Sequence, residues 1–145
     1  MTGPAEIGQG IVSESIGSFF VAFLYLTQTE EKTKLSKDPA ITTLIIAASY
    51  LAALLMTSPP DVGFSCLNPA IGVASTIVMS FDKINGVLGL EWIWIYALFP
   101  FVGGICAVIF HELIFKKVQS AIAEQEEEDT DGILDKETDG ELSAR

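Results

Sequence analysis

Four apolar stretches separated by short polar breaks organise this chain. The first runs from Ile11 to about Thr29, long enough at about 1.5 Å per residue to cross a hydrocarbon core of about 30 Å. It lacks the basic leading segment of a cleaved export signal, since no Lys or Arg precedes Lys32. The polar break over 30–38, EEKTKLSKD, ends in Asp38-Pro39. Asp38 supplies a side-chain acceptor for a helix start and Pro39 a pre-set φ for the first helical position. A second, uncharged span is therefore expected from about Pro39 to Thr57, and Ser58-Pro59-Pro60-Asp61-Val62-Gly63 stops it.

The third stretch, Phe64 to Phe81, is uncharged, but Asn68-Pro69 interrupts it. The pair predicts a helix from Pro69 to about Ser80, roughly 18 Å long at helical rise and hence about half a bilayer. A polar turn at Asp82-Lys83-Ile84-Asn85-Gly86 leads to a last span over 91–115, opened by Trp92, Trp94 and Tyr96 in the manner of an interfacial aromatic belt. The expected fold is thus an all-α membrane protein with three transmembrane helices plus one re-entrant half-helix. Its parts are an N-terminal segment 1–10, a membrane unit 11–117 and a tail 118–145.

Composition sharpens that division. Half of the 145 residues are hydrophobic, mean hydropathy is +0.45, and yet the formal charge is −11. The two properties separate along the chain: residues 118–145 carry ten acids and two bases, net −8, and residues 1–117 carry nine acids and six bases, net −3. The tail reads as a solvated, disordered charge run, with docking to a basic surface as the alternative. Clustered Lys and Arg for phosphate contacts are missing, which excludes nucleic acid as a partner class. Cys66 and Cys106, both in apolar surroundings, form no disulfide framework and no metal-ligand spacing. No nucleotide loop is present, and Cys66 has no base near it in sequence, so neither an enzyme nor a cofactor site is expected.

The lysines orient the spans. With a re-entrant third segment, Lys32, Lys34, Lys37, Lys116 and Lys117 fall on one side and Lys83 alone on the other. The positive-inside bias then places the N-terminus outside and the C-terminus on the cytoplasmic or matrix side.

Three polar features fall inside these spans. Glu14 lies within the first and is costly there unless it finds donors in the protein; the alternative is an interfacial position near a helix end. His111 and Glu112 sit at the far end of the last span, where polar heads can reach water, and a lone histidine without a partner cluster reads as an interfacial or satisfied side chain. Asn68-Pro69-Ala70 opens the half-helix. Broken backbone at midplane depth is tolerated where it is buried in protein or lines a watery cavity. A helix N-terminus there aims partial positive charge and free N–H groups into that cavity. Asn68 can add a side-chain NH2 donor. Water or a small polyol fits such a site, whereas cations and protons are disfavoured.

Three motifs together resemble the aquaporin and glycerol-facilitator family: Glu14-Ser15-Ile16-Gly17-Ser18-Phe19-Phe20, Ser65-Cys66-Leu67-Asn68-Pro69-Ala70, and Trp94-Ile95-Tyr96 through Pro100-Phe101-Val102-Gly103-Gly104. The likeness is to the second of that family's two inverted repeats and covers about residues 11–115. It implies half of an aquaporin-like fold, with Glu14 as a buried acceptor for the re-entrant loop and Gly103 and Gly104 as sites of close helix packing, also their plain reading in a membrane protein. Cys66 would face the re-entrant vestibule or sit as a small buried hydrophobe. The chain departs from the family pattern where an arginine normally follows the tripeptide, because Ile71 stands there. The histidine expected on the second span is also missing, with Tyr50 or Met56 nearest.

The resemblance implies a half-channel that passes water or small neutral solutes when a complementary half-repeat completes it. Self-pairing would need dual topology, which the lysine bias of five against one opposes. The alternative is a non-conducting accessory subunit of a larger membrane complex. An energy-transducing complex would place it in the mitochondrial inner membrane.

Overall fold

The computed structural model describes residues 4–58, 65–81, 90–127 and 130. The proline-rich break after Ser58, the polar turn with Lys83 and the acidic stretch from 131 onward lie outside these. Among the described residues the fold is all-helical. Helix α1 spans Pro4–Thr29, α2 Pro39–Thr57, α3 Pro69–Ser80 and α4 Ile93–Phe110. A 3-10 turn, Leu90–Trp92, leads into α4, and a π-helical stretch, His111–Phe115, follows it. Three helices are long and apolar enough to cross a membrane, the last of them running continuously from Leu90 to Glu127.

Local chemistry explains where the two middle helices start. Asp38 accepts from the Ala40 amide at 2.8 Å and Pro39 occupies the first helical position. Asn68 does the same for α3, accepting from the Ala70 amide at 2.9 Å, with Pro69 first in the helix. Helix α1 begins seven residues before the apolar run at Ile11, since Pro4 to Gly10 joins the same helix. The last helix likewise passes the boundary expected at residue 117 and carries helical structure on to Glu127. Good helix formers at Ala121, Ala123, Glu124, Gln125, Glu126 and Glu127 account for that extension.

Packing inverts the pattern of a soluble domain. Among the described residues the buried apolar ones are few, Ala53, Leu67, Ile95 and Ala107, and the other buried positions are mostly polar or small. Ser49, Ala53 and Thr57 line the inner face of α2 at steps of four, and Gly103, Ala107 and His111 do so on the last helix. Large side chains such as Leu44, Leu55, Phe101 and Ile105 point outward. Lipid removes the hydrophobic drive between helices, so close van der Waals approach and hydrogen bonds must hold them, and small residues allow both.

Helices α1 and α4 share the most extensive interface, and α2 packs on α1 while α3 packs on α4. Gly103 permits the α1–α4 contact: a Cβ there would collide with the Ser15 carbonyl and come within 2.7 Å of the Phe19 nitrogen. Gly104 does not make the close approach expected of it. One residue further along turns it by about 100°, and a Cβ would meet nothing within 4 Å. Toward the Lys116 end, Phe23 seals the same two helices, meeting Phe110 edge-on at 5.4 Å and Phe115 at 5.2 Å between ring centroids. Gly103→Val should therefore lower the thermal unfolding midpoint in detergent by the equivalent of about 1–3 kcal/mol, while Gly104→Ala should leave it unchanged or slightly raised. Equal behaviour of the two variants would contradict this interface.

Candidate functional site

The site is built on one carboxylate and one short stretch of backbone. Glu14, 1% exposed, points from α1 at residues 65–67, just before α3. Its Oε1 accepts from the Cys66 amide at 2.7 Å and from the Ser65 hydroxyl at 3.1 Å, and its Oε2 accepts from the Leu67 amide at 2.9 Å. Hydrogen bonds to an ionised acceptor are the stronger kind, and here three share one carboxylate. The cost of a buried acid is thereby offset in the way its position in the span demands.

Further contacts turn the loop and hold it. Leu67 has φ 53, in the left-handed region that costs a non-glycine residue roughly 1–2 kcal/mol. That turn lets the 66 and 67 amides face Glu14 while the Leu67 carbonyl accepts from Ser18 at 3.3 Å. The Leu67 side chain presses on Gly17, where a Cβ would clash with Leu67 itself and lie 2.9 Å from Thr57 Oγ1. From α2, the Tyr50 hydroxyl donates to the Cys66 carbonyl at 3.0 Å. The Ser65 amide donates to Ser58 Oγ at 3.2 Å. Helices α1 and α2 thus both hold the turn that starts α3, and Tyr96 of α4 packs against Gly72 in its first turn.

Asn68, Pro69 and Ala70 follow at the mouth of that turn. The Asn68 side-chain oxygen is committed to the helix cap and its carbonyl accepts from the Gly72 amide at 2.9 Å. Cys66 is half-buried, Ala70 is exposed, and Ile71 is 48% exposed. Of the two side chains considered on the second span, Tyr50 reaches the loop and Met56 is 70% exposed on the outer face. Beside Leu67 and Pro69 opens an apolar groove of about 590 Å³ between α1 and α4, floored by Ala22 and Gly104 and walled by Leu26 and Val108. Among the described residues no group of three or more His, Cys, Asp or Glu side chains is arranged to hold a metal.

Ser18, Ser58 and Ser65 were not legible as site residues, and Tyr50 entered only as one of the two side chains nearest the family's second-span histidine. Hydroxyl groups in spans commonly bond back to their own helix, as Thr57 does to the Ala53 carbonyl at 2.7 Å, so their presence alone carries no signal. Ser18 is the exception with a cue, since it sits one helical turn beyond the acid at Glu14.

A buried acid holding a re-entrant loop at the start of a half-length helix can be compared with known proteins. A family model for major intrinsic proteins matches residues 3–111. This chain belongs to the major intrinsic protein family. Members of that family are channels rather than enzymes, and the chain is an integral membrane protein. It is 27% identical over 111 residues to a probable aquaporin PIP2-8 of Oryza sativa subsp. japonica, covering 75% of this chain and 38% of that protein. A probable aquaporin PIP2-5 of Arabidopsis thaliana is 26% identical over 113 residues, covering 77% of this chain and 37% of its own. The chain therefore spans less than two-fifths of the length of these relatives. No solved structure is matched with significance.

The tether predicts a graded stability series. Glu14→Leu strands two amides and one hydroxyl, each worth about 1–3 kcal/mol when buried without a partner. It should lower unfolding stability in detergent by about 3 kcal/mol or more and raise amide exchange at 65–67. Glu14→Gln keeps one acceptor oxygen and should fall between. A Leu variant as stable as the parent would show that the carboxylate does not hold the loop.

Proposed function

We propose that this chain forms one half of a channel for water or small uncharged solutes, completed by a complementary half that supplies the opposing re-entrant segment. The observation that carries this reading is the short α3, whose N-terminus is set by the three-donor grip of Glu14. Twelve residues at about 1.5 Å each span about half a hydrocarbon core, so the opposing half of a pore must come from elsewhere. The groove beside Leu67 and Pro69 supports the same reading, because it leaves apolar surface open next to the half-helix.

The chemistry of the half-site favours neutral guests. With Asn68 Oδ1 used by the helix cap, its NH2 group is the part that meets a solute. The positive end of the α3 dipole favours acceptor lone pairs and opposes cations. Ile71 presents hydrocarbon where the family pattern has a cation, so this half contributes an apolar wall rather than a charged constriction. In the membrane the N-terminus faces outward and the lysine-bearing loop 30–38 faces the cytoplasm or matrix.

A second reading, a non-conducting accessory subunit of a larger membrane complex, draws on Ile71 and on the acidic extension of the last helix to Glu127. Purification in mild detergent separates the two: a small complementary half identifies the first, a large assembly the second. Reconstitution of the chain with its co-purifying partner in proteoliposomes should give osmotic swelling faster than bare lipid, and the chain alone should not. Swelling no faster than bare lipid with the partner present would sink the channel reading.

A further inference from the structure

The last helix is longer than any membrane requires. It runs 38 residues from Leu90 to Glu127, about 57 Å at 1.5 Å per residue against about 30 Å of hydrocarbon. The stretch 118–127, beyond Lys116 and Lys117, therefore stands clear of lipid, yet Val118 is 49% and Ile122 43% exposed there. We propose that this projecting segment is a docking face on which another protein lays an amphipathic helix, apolar along one stripe and flanked by Lys or Arg.

The π-helical stretch sets the direction of this face. His111 points into the bundle and is buried. In an uninterrupted α-helix Val118, seven residues on, would return to within about 20° of the same side. The turn His111–Phe115 prevents this, because the Lys116 amide donates to the His111 carbonyl, five residues back. Lys116 thus stacks on the His111 side, and its Nζ meets Glu30 of the loop after α1 at 3.4 Å. Counting on from Lys116 at about 100° per residue, Ala121 falls at about 140°, Gln125 at 180°, Val118 at 200° and Ile122 at 240°. These four make one stripe that faces away from the bundle, and all four are exposed. A π-helical widening is frequent at functional positions; here it turns an apolar stripe outward.

Charge selects the occupant. On the same count Glu124 falls at about 80° and Glu126 at about 280°, so an exposed acid borders the stripe on each side. Among the described residues no base follows Lys117. Opposite charges along the edges of paired helices attract and like charges repel, so the complementary helix carries Lys or Arg at its flanks. A second copy of this chain fits badly: two last helices leave the membrane in the same direction, and a parallel pair would set glutamates against glutamates. A lipid surface fits badly as well, since the segment continues a transmembrane helix and anionic headgroups repel its acids. Helical segments in proteins gain most of their stability from packing of an apolar face, which for this segment the partner supplies.

The test uses the full chain in lipid nanodiscs, with the methyl resonances of Val118 and Ile122 as reporters. The probe is a synthetic helical peptide with Leu along one face and Lys on both flanks. One control is a scrambled peptide of the same composition, and another carries Glu in place of Lys. The probe should shift both methyl signals and bind at least about tenfold tighter than either control, and added salt should weaken it. Val118→Ser combined with Ile122→Ser should abolish that preference. Glu124→Lys combined with Glu126→Lys should reverse the choice between the Lys and Glu peptides. All four positions are exposed and outside the bundle, so the variants keep the fold, which circular dichroism checks. Equal binding of the scrambled peptide, or binding indifferent to the serine pair, would overturn the proposal. So would sedimentation of the chain alone as a dimer that the serine pair dissolves, or contact of these methyls with lipid in nanodiscs containing anionic headgroups. No step measures transport, so failure here leaves the channel reading standing.

Discussion

The grip of the Glu14 carboxylate on residues 65–67 is the constraint on which the rest of this structure depends. Backbone amides in a non-helical turn at membrane depth have no water to bond with. Glu14 answers two of them, at 2.7 and 2.9 Å, together with the Ser65 hydroxyl. Everything nearby follows from that arrangement. Leu67 can occupy its left-handed conformation because the amides on both sides of the turn are claimed, and Asn68 can then open α3. The acid and the loop each carry a cost alone, and each removes the other's.

Close packing in the bundle serves the same end. Gly103 lets α1 approach α4 until the Ser15 carbonyl and the Phe19 nitrogen would touch a Cβ, and this fixes the helix that bears Glu14. Gly17 does likewise for Leu67. The interior that results is lined by glycine, alanine, serine and threonine more than by large aliphatic residues. Such an interior gains little from exclusion of water and much from precise contact, so it transmits small displacements of α1 directly to the start of α3.

Much of this architecture was legible in the chain. Asp38-Pro39 and Asn68-Pro69 mark the first turns of α2 and α3, because an N-cap acceptor followed by proline is a local instruction that tertiary context rarely overrides. Ends without such punctuation were harder to place. Helix α1 takes in Pro4 to Gly10, and the last helix continues to Glu127 past the change in charge at 117, since hydropathy marks where lipid ends rather than where a helix does. Glu14 was recognisable as costly, and Asn68, Pro69 and Ala70 as a break. The hydroxyls of Ser18 and Ser65 were not recognisable, because their partners lie 49 and 51 residues away. Gly103 and Gly104 look alike in sequence, yet only one faces a neighbouring backbone. His111 read as water-facing, and the bundle instead closes over it with Phe23 and Phe115.

The sequence distance between Glu14 and its donors sets a problem of timing for biogenesis. The partners lie 51 to 53 residues downstream, and at about 5–20 residues per second of synthesis the first helix waits roughly three to ten seconds for them. During that interval a carboxylate meant for a protein interior is on a segment that reaches the bilayer before its partners do. The helix must linger at the insertion machinery or sit with its acid near a headgroup until Ser65, Cys66 and Leu67 emerge. Assembly of this small unit is therefore obliged to run backward in part, with its earliest helix among the last to settle.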